Sequence, residues 1–220
     1  MKYHYLDMNA YKRKKHFEYF STMAYPYVSV TVNVDITEFL TEIKQEKFSF
    51  FLSFCYCAAK AADSVPEFRQ RIQENKIIEY DRCRTSHTVF LEDGTYCYCM
   101  LDYDKSFEEY LRYAVRTQEN AKQEKSVEDK QEDLNELIFI STLPWFSYTA
   151  LNNPVPIPAD SNPRITWGKY IKEDLKTVIP VTVQCNHALV DGVHISQFLE
   201  ALKKELCKVT ESVRKQEGNK

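Results

Sequence analysis

Glycine is scarce in this 220-residue chain: there are four, isolated at positions 94, 168, 192 and 218. A phosphate-cradling loop needs clustered glycines, which argues against nucleotide hydrolysis and against hydride transfer on a dinucleotide fold. Strong charge of one sign is also missing. A formal net charge of −3 leaves no electrostatic footprint for nucleic acid. The opening residues, Met1-Lys2-Tyr3-His4-Tyr5-Leu6-Asp7, contain no apolar signal core. No run suits a bilayer. Phe48 to Ala59 is too short, and the uncharged stretch from Leu137 to Ala159 is broken by Pro144, Pro154, Pro156 and Pro158. The seven cysteines include no C-x-x-C pair, so no zinc site is expected. Cys55/Cys57 and Cys97/Cys99 lie inside apolar segments and read as buried, reduced thiols of a cytoplasmic protein.

What is present is material for a core. Hydrophobic residues make up 44% of the chain and aromatics 14%, with 28% charged, a globular composition. Tyr27 to Asp35 alternates Val28, Val30, Val32 and Val34 against polar residues, a strand with one wet face. Strands are also expected at Ile77–Tyr80, Ser86–Glu92, Tyr96–Asp102, Leu137–Thr142, Ile165–Tyr170 and Val178–Cys185. The Asp93-Gly94 step should turn a hairpin. Helices are expected at Asn9–Phe20, Thr37–Gln45 with Thr37 as N-cap, Ser49–Ser64, Ser106–Lys122 and Val193–Val213. The charge run Glu119–Glu136 reads as solvated helix end and loop, and Arg214–Lys220 as a frayed tail. No linker or repeat interrupts the order. The expectation is one α/β domain over residues 1–220, with a mixed β-sheet packed against helices.

Chemistry gathers at Asn186-His187-Ala188-Leu189-Val190-Asp191-Gly192, between the strand ending at Cys185 and a helix whose Ile195, Phe198, Leu199 and Leu202 share a face. A histidine fixed by a strand end and exposed by a turn is well placed for proton transfer, with a carboxylate near enough to organise it. His187, Asp191 and His194 would ligate a metal only on a common face, which the turn at Gly192 breaks; no metal is expected.

The H-x-x-x-D-G pattern after a strand resembles the chloramphenicol acetyltransferases, and the dihydrolipoyl acyltransferase cores share it. Further segments resemble that family in order and spacing: Tyr11-Lys12-Arg13-Lys14-Lys15-His16-Phe17-Glu18, Val34-Asp35-Ile36-Thr37, Ile140-Ser141-Thr142-Leu143-Pro144-Trp145 and Ile165-Thr166-Trp167-Gly168-Lys169-Tyr170. The resemblance implies a coenzyme A-dependent acyltransferase fold and a homotrimer with active sites between subunits. It implies no bound cofactor, with acetyl-coenzyme A as co-substrate. His187 would be the general base, Ser141 the oxyanion donor, and Thr166 the holder of a water beside the same intermediate. Arg13 would pair with Asp191 to brace the histidine loop, against the triad reading in which Asp191 orients His187 directly.

The acceptor pocket implied by the resemblance falls on Phe20, Thr88, Tyr96, Leu151, Asn153 and Arg164. Several depart from the family. Phe20 stands where a tyrosine is usual, Leu151 replaces an aromatic, Asn153 a leucine, and Arg164 an apolar residue. A guanidinium facing an apolar antibiotic would be costly. The expectation is therefore O-acetylation of chloramphenicol, with two alternatives. One is the same chemistry on another hydroxyl acceptor, with Arg164 and Asn153 reading a polar group. The other is a trimeric binding protein without turnover.

Overall fold

The valine alternation folds as a strand over the same residues the pattern marks, β2 (Tyr27–Asp35). It follows a short strand β1 (Tyr3–Tyr5) and helix α1 (Lys14–Phe20). The computed structural model describes residues 1–126 and 134–217. After β2 come α2 (Thr37–Gln45), α3 (Phe50–Asp63), α4 (Pro66–Arg69), β3 (Gln70–Gln73) and β4 (Lys76–Tyr80). Then come β5 (Arg84–Phe90), β6 (Tyr96–Leu101), α5 (Phe107–Glu124), β7 (Leu137–Leu143), β8 (Arg164–Gly168), β9 (Ile171–Glu173), β10 (Lys176–Asn186) and α6 (Gly192–Glu217).

The main sheet runs β2-β10-β8-β7-β5-β6, with β9 on the end of β10. It is mixed. β7 runs parallel to β5 and β8, while the other pairs are antiparallel. Side chains alternate across it with period two. One face carries Val30, Val32, Ile179, Val181, Val183, Ile165, Trp167, Ile138 and Ile140, and helices cover it: Phe54 of α3 lies 4.7 Å from the Trp167 ring. The opposite face carries Ser29, Thr31, Thr182, Gln184, Arg164, Thr166, Ser141 and Thr88. A proline-rich segment, 144–163, lies over part of that polar face.

That segment makes little ladder of its own, so side chains hold it down. Ser29 Oγ donates to the Leu151 carbonyl at 3.0 Å, and Gln184 takes the Asn153 N–H at 2.7 Å. Tyr148 donates to the Thr166 carbonyl at 2.9 Å, and Asn186 Nδ2 to the Asp160 carbonyl at 2.9 Å. The polar alternation in β10 thus does for the loop what backbone pairing does for a strand.

Several expectations are corrected. The first helix starts at Lys14, not Asn9, because Asp7 closes a turn by accepting the Asn9 N–H at 2.9 Å. Thr37 is the first helical residue. Asp35 Oδ1 accepts its N–H at 3.0 Å and so does the capping work. The final helix runs to Glu217 where fraying was expected from Arg214, and 218–220 lie outside the described residues. Of the Glu119–Glu136 run, 127–133 also lie outside them. Its last member, Glu136, is buried and receives Arg84 Nε at 2.6 Å. Six cysteines are buried, but Cys207 is exposed. The Asp93-Gly94 turn forms, with Gly94 at φ +84°, a left-handed conformation suited to glycine. Among the described residues, no helix is long and apolar enough to cross a membrane.

Candidate active site

His187 stands one residue beyond β10, half-buried. Its backbone N–H donates to the Pro26 carbonyl at 2.7 Å, pinning the strand end. Its Nδ1 lies 2.8 Å from the Val190 carbonyl. A carbonyl only accepts, so Nδ1 carries the proton and Nε2 keeps the lone pair. The Phe20 ring stacks on the imidazole at 3.9 Å between centroids. A ring that is stacked and tethered at Nδ1 has one orientation in which to act as a base at Nε2.

Asp191 does not occupy the Nδ1 position that a triad carboxylate would. One of its oxygens pairs with Arg13 Nη1, and the other accepts the Val193 N–H at 3.0 Å, capping α6. Arg13 Nη2 also reaches the His187 carbonyl at 3.4 Å. Burial pushes the Asp191 carboxyl up, but Arg13 and His194 outweigh it and hold it below its ordinary value. His194 is tied to this brace: its Nδ1 accepts the Asp191 N–H at 3.1 Å. Among the described residues, no group of three or more His, Cys, Asp or Glu is arranged to hold a metal.

Ser141 and Thr166 are direct neighbours across the parallel β7–β8 pair, on the polar face. Two cavities meet there. The larger, about 670 Å³, is lined by Phe51, Trp145, Trp167, Lys169 and Tyr170 among others. The smaller, about 480 Å³, is lined by Phe139, Asn153, Asp160, Arg164 and Thr166 among others. Thr88, Tyr96 and Ser141 belong to both linings. Ser141 therefore stands at the boundary between the two cavities.

His187 is not part of that junction within one chain. Thr166 pairs with Thr182 of β10, and His187 lies five residues further along. At strand rise that is a separation of about 17 Å. Phe20 is stacked on His187 and lines neither cavity, nor does Leu151, whose carbonyl holds Ser29.

Arg164 requires a correction. It lines the smaller cavity, but its charge is not left against a ligand. Asp160 binds it through both Nη atoms, at 2.9 and 2.6 Å. A forked, charge-assisted pair of this kind removes the cost expected for a lone guanidinium. Sequence reasoning missed Asp160, along with Tyr27, which donates to it at 2.9 Å. The available signal was the alternation Thr182-Val183-Gln184-Cys185-Asn186, which marks polar groups on one face of a strand read only as apolar.

Comparison with known proteins bears on this arrangement. Residues 1–203 match the family described as "CAT: Chloramphenicol acetyltransferase". A chloramphenicol acetyltransferase of Klebsiella sp is 29% identical over 200 residues, 90% of this chain and 90% of that protein. A solved chloramphenicol acetyltransferase superposes with TM-score 0.82 at 23% identity, over 93% of this chain and all of the other. A probable dihydrolipoamide acetyltransferase from Listeria monocytogenes superposes with TM-score 0.66 at 18% identity, over 89% of each chain.

Proposed function

Because the chain belongs to the chloramphenicol acetyltransferase family, a family of acyltransferase enzymes, we propose that it moves acetyl from acetyl-coenzyme A directly to a hydroxyl of chloramphenicol. The observation that carries this is the meeting of two cavities at Ser141. Direct transfer between two bound molecules needs such a junction, with an oxyanion donor at it.

In this reading the acceptor hydroxyl lies in the smaller cavity and the thioester in the larger. His187 Nε2 takes the hydroxyl proton as the oxygen attacks the thioester carbon. Ser141 donates to the oxyanion of the tetrahedral intermediate, and Thr166 holds a water beside it. The intermediate collapses as the thiolate leaves and takes up the proton. No acyl-enzyme forms, so Ser141 is a donor and not a nucleophile. The separation of about 17 Å along β10 within one chain supports a site shared between copies, His187 of one subunit facing the junction of the next. We take the assembly to be a cytoplasmic homotrimer.

The test is thiol release from acetyl-coenzyme A in the presence of chloramphenicol. His187→Ala should lower kcat about 10²–10⁴-fold with assembly state and melting temperature nearly unchanged. A variant keeping more than roughly a tenth of the wild-type rate is incompatible with His187 as the base.

A further inference from the structure

The smaller cavity has a charged wall. Asp160 and Arg164 form it together with Asn153, Phe139 and the loop prolines 154 and 156. Arg164 lies between the Tyr27 and Phe139 rings, its Cζ 6.0 and 5.3 Å from their centroids. Its Nη1 also donates to the Asn162 carbonyl at 3.1 Å. The side chains are 10% and 22% exposed for Arg164 and Asp160, so the carboxylate is the more open of the two.

An ionised carboxylate offers about four acceptor sites. Among the described residues, Asp160 Oδ1 receives the Tyr27 hydroxyl and Arg164 Nη1, and Oδ2 receives Arg164 Nη2. One acceptor site on Oδ2 is left over. The pair is neutral as a whole, so the wall selects for hydrogen-bond donors and not for net charge. It is also rigid. The Asp160 carbonyl is held by Asn186, the residue before His187, and the carboxylate by a fork and a phenol. A fixed acceptor with one open site recognises a donor at a fixed distance from the reacting hydroxyl.

We propose that Asp160 is a specificity-determining residue that accepts a hydrogen bond from a second hydroxyl of the acceptor, so that the pocket also takes polyhydroxylated acceptors such as glycosides. This rests on the reading of the smaller cavity as the acceptor site of an acetyl transfer. Arg164 is the positioning residue that holds Asp160 in place. The hydroxyl that reaches Asp160 is not the one acetylated; it loses no proton and only donates.

The experiment compares kcat/KM, by thiol release, for chloramphenicol and for p-nitrophenyl glucoside, galactoside and xyloside, which keep a nitrophenyl ring and add hydroxyls. Wild type should acetylate at least one glycoside. Asp160→Asn should lower kcat/KM for that glycoside about ten- to hundredfold, the loss expected for a hydrogen bond to a charged group. The double variant Asp160→Leu and Arg164→Leu removes the pair without orphaning a charge, and should show the same loss for that glycoside. Calorimetric binding of the same glycosides to wild type and Asp160→Asn gives a readout without turnover.

Chloramphenicol turnover with inert, unbound glycosides overturns the specificity proposal and leaves the transfer reading standing. Glycoside turnover unmoved by either variant does the same. Glycoside binding that needs Asp160, with no thiol release from any acceptor, overturns the transfer reading and leaves Asp160 as a hydroxyl-recognising residue. If the double variant fails to fold, Asp160→Asn and the wild-type panel decide.

Discussion

Acidification should expose a cost hidden in His87. This histidine sits on β5 under the helices, 1% exposed, against the Phe51 ring. Gln118 Nε2 lies 2.9 Å from its Nε2, an amide donor against a ring lone pair. The ring proton is then on Nδ1, which finds no partner among the described residues. A second proton would land on Nε2 facing a donor, on a buried ring. Burial accordingly holds the His87 pKa down, to about 4. In the unfolded chain it returns to the ordinary value near 6.5. Between those values the unfolded state binds the extra proton and the folded state does not. Stability from this group is therefore complete above about pH 6.5 and is lost as pH falls toward about 4. At about 1.4 kcal/mol per pH unit, the loss across the window is about 3 kcal/mol. For a chain of this size that is roughly 6–12 °C in Tm. Urea unfolding of wild type and His87→Leu from pH 7.5 to pH 4 isolates it, because carboxylate titrations common to both cancel in the difference. The variant profile should be flatter by about 3 kcal/mol. Parallel profiles would refute the reasoning and mean that His87 accepts its proton in the folded state.

Three other outcomes are expected. Ser141→Ala should lower kcat about 10²–10³-fold while both KM values stay close to wild type, since an oxyanion donor acts in the transition state; a pure KM effect reassigns Ser141 to substrate binding. Arg13 and Asp191 side chains are 15% and 30% exposed, so replacing either by alanine should cost about 2–3 kcal/mol, between the exposed and buried limits. The double variant should lose less than the two singles together, whereas additive losses would show no interaction. The pair's contribution is complete above the ordinary aspartate value near 3.9 and fades as pH falls through the lowered Asp191 value. Gly168→Ala would bring a Cβ to 2.9 Å from Tyr148 Cε1 and 3.0 Å from the Phe146 carbonyl and Pro180 Cγ. It should cost about 1–3 kcal/mol and, by shifting the segment that carries Trp145, raise the donor KM; an unchanged melting curve would show that this segment yields freely.

The sequence was informative where its periodicity matched a buried face. Tyr27–Asp35 could be assigned to the residue because four valines alternate with polar groups; Val34 is buried in the core and Val28 and Val30 pack partly buried against it. The His187 turn was legible for a similar reason: a strand, a break and a helical stripe in succession leave few places for the chain to go. The three-residue strands β1 and β9 were missed because so few residues give no alternation to read. Asn9–Arg13 was misread because helical spacing of aromatics says nothing of the turn closed by Asp7. The site divides along the same line. Arg13 and Asp191 were legible through a motif, but Asp160 was not, because its partners come from β2, β8 and β10 and meet only when the sheet is assembled. Arg164 shows the consequence. Judged as a single residue it was a desolvated charge, and the inference ran toward a pocket hostile to its ligand. Judged with Asp160 it is half of a neutral fork, and the same cavity becomes hospitable to hydroxyl groups. The sign of a buried charge's contribution is fixed by its partner, and a partner four residues away in an irregular proline-rich loop has no periodicity that would announce it.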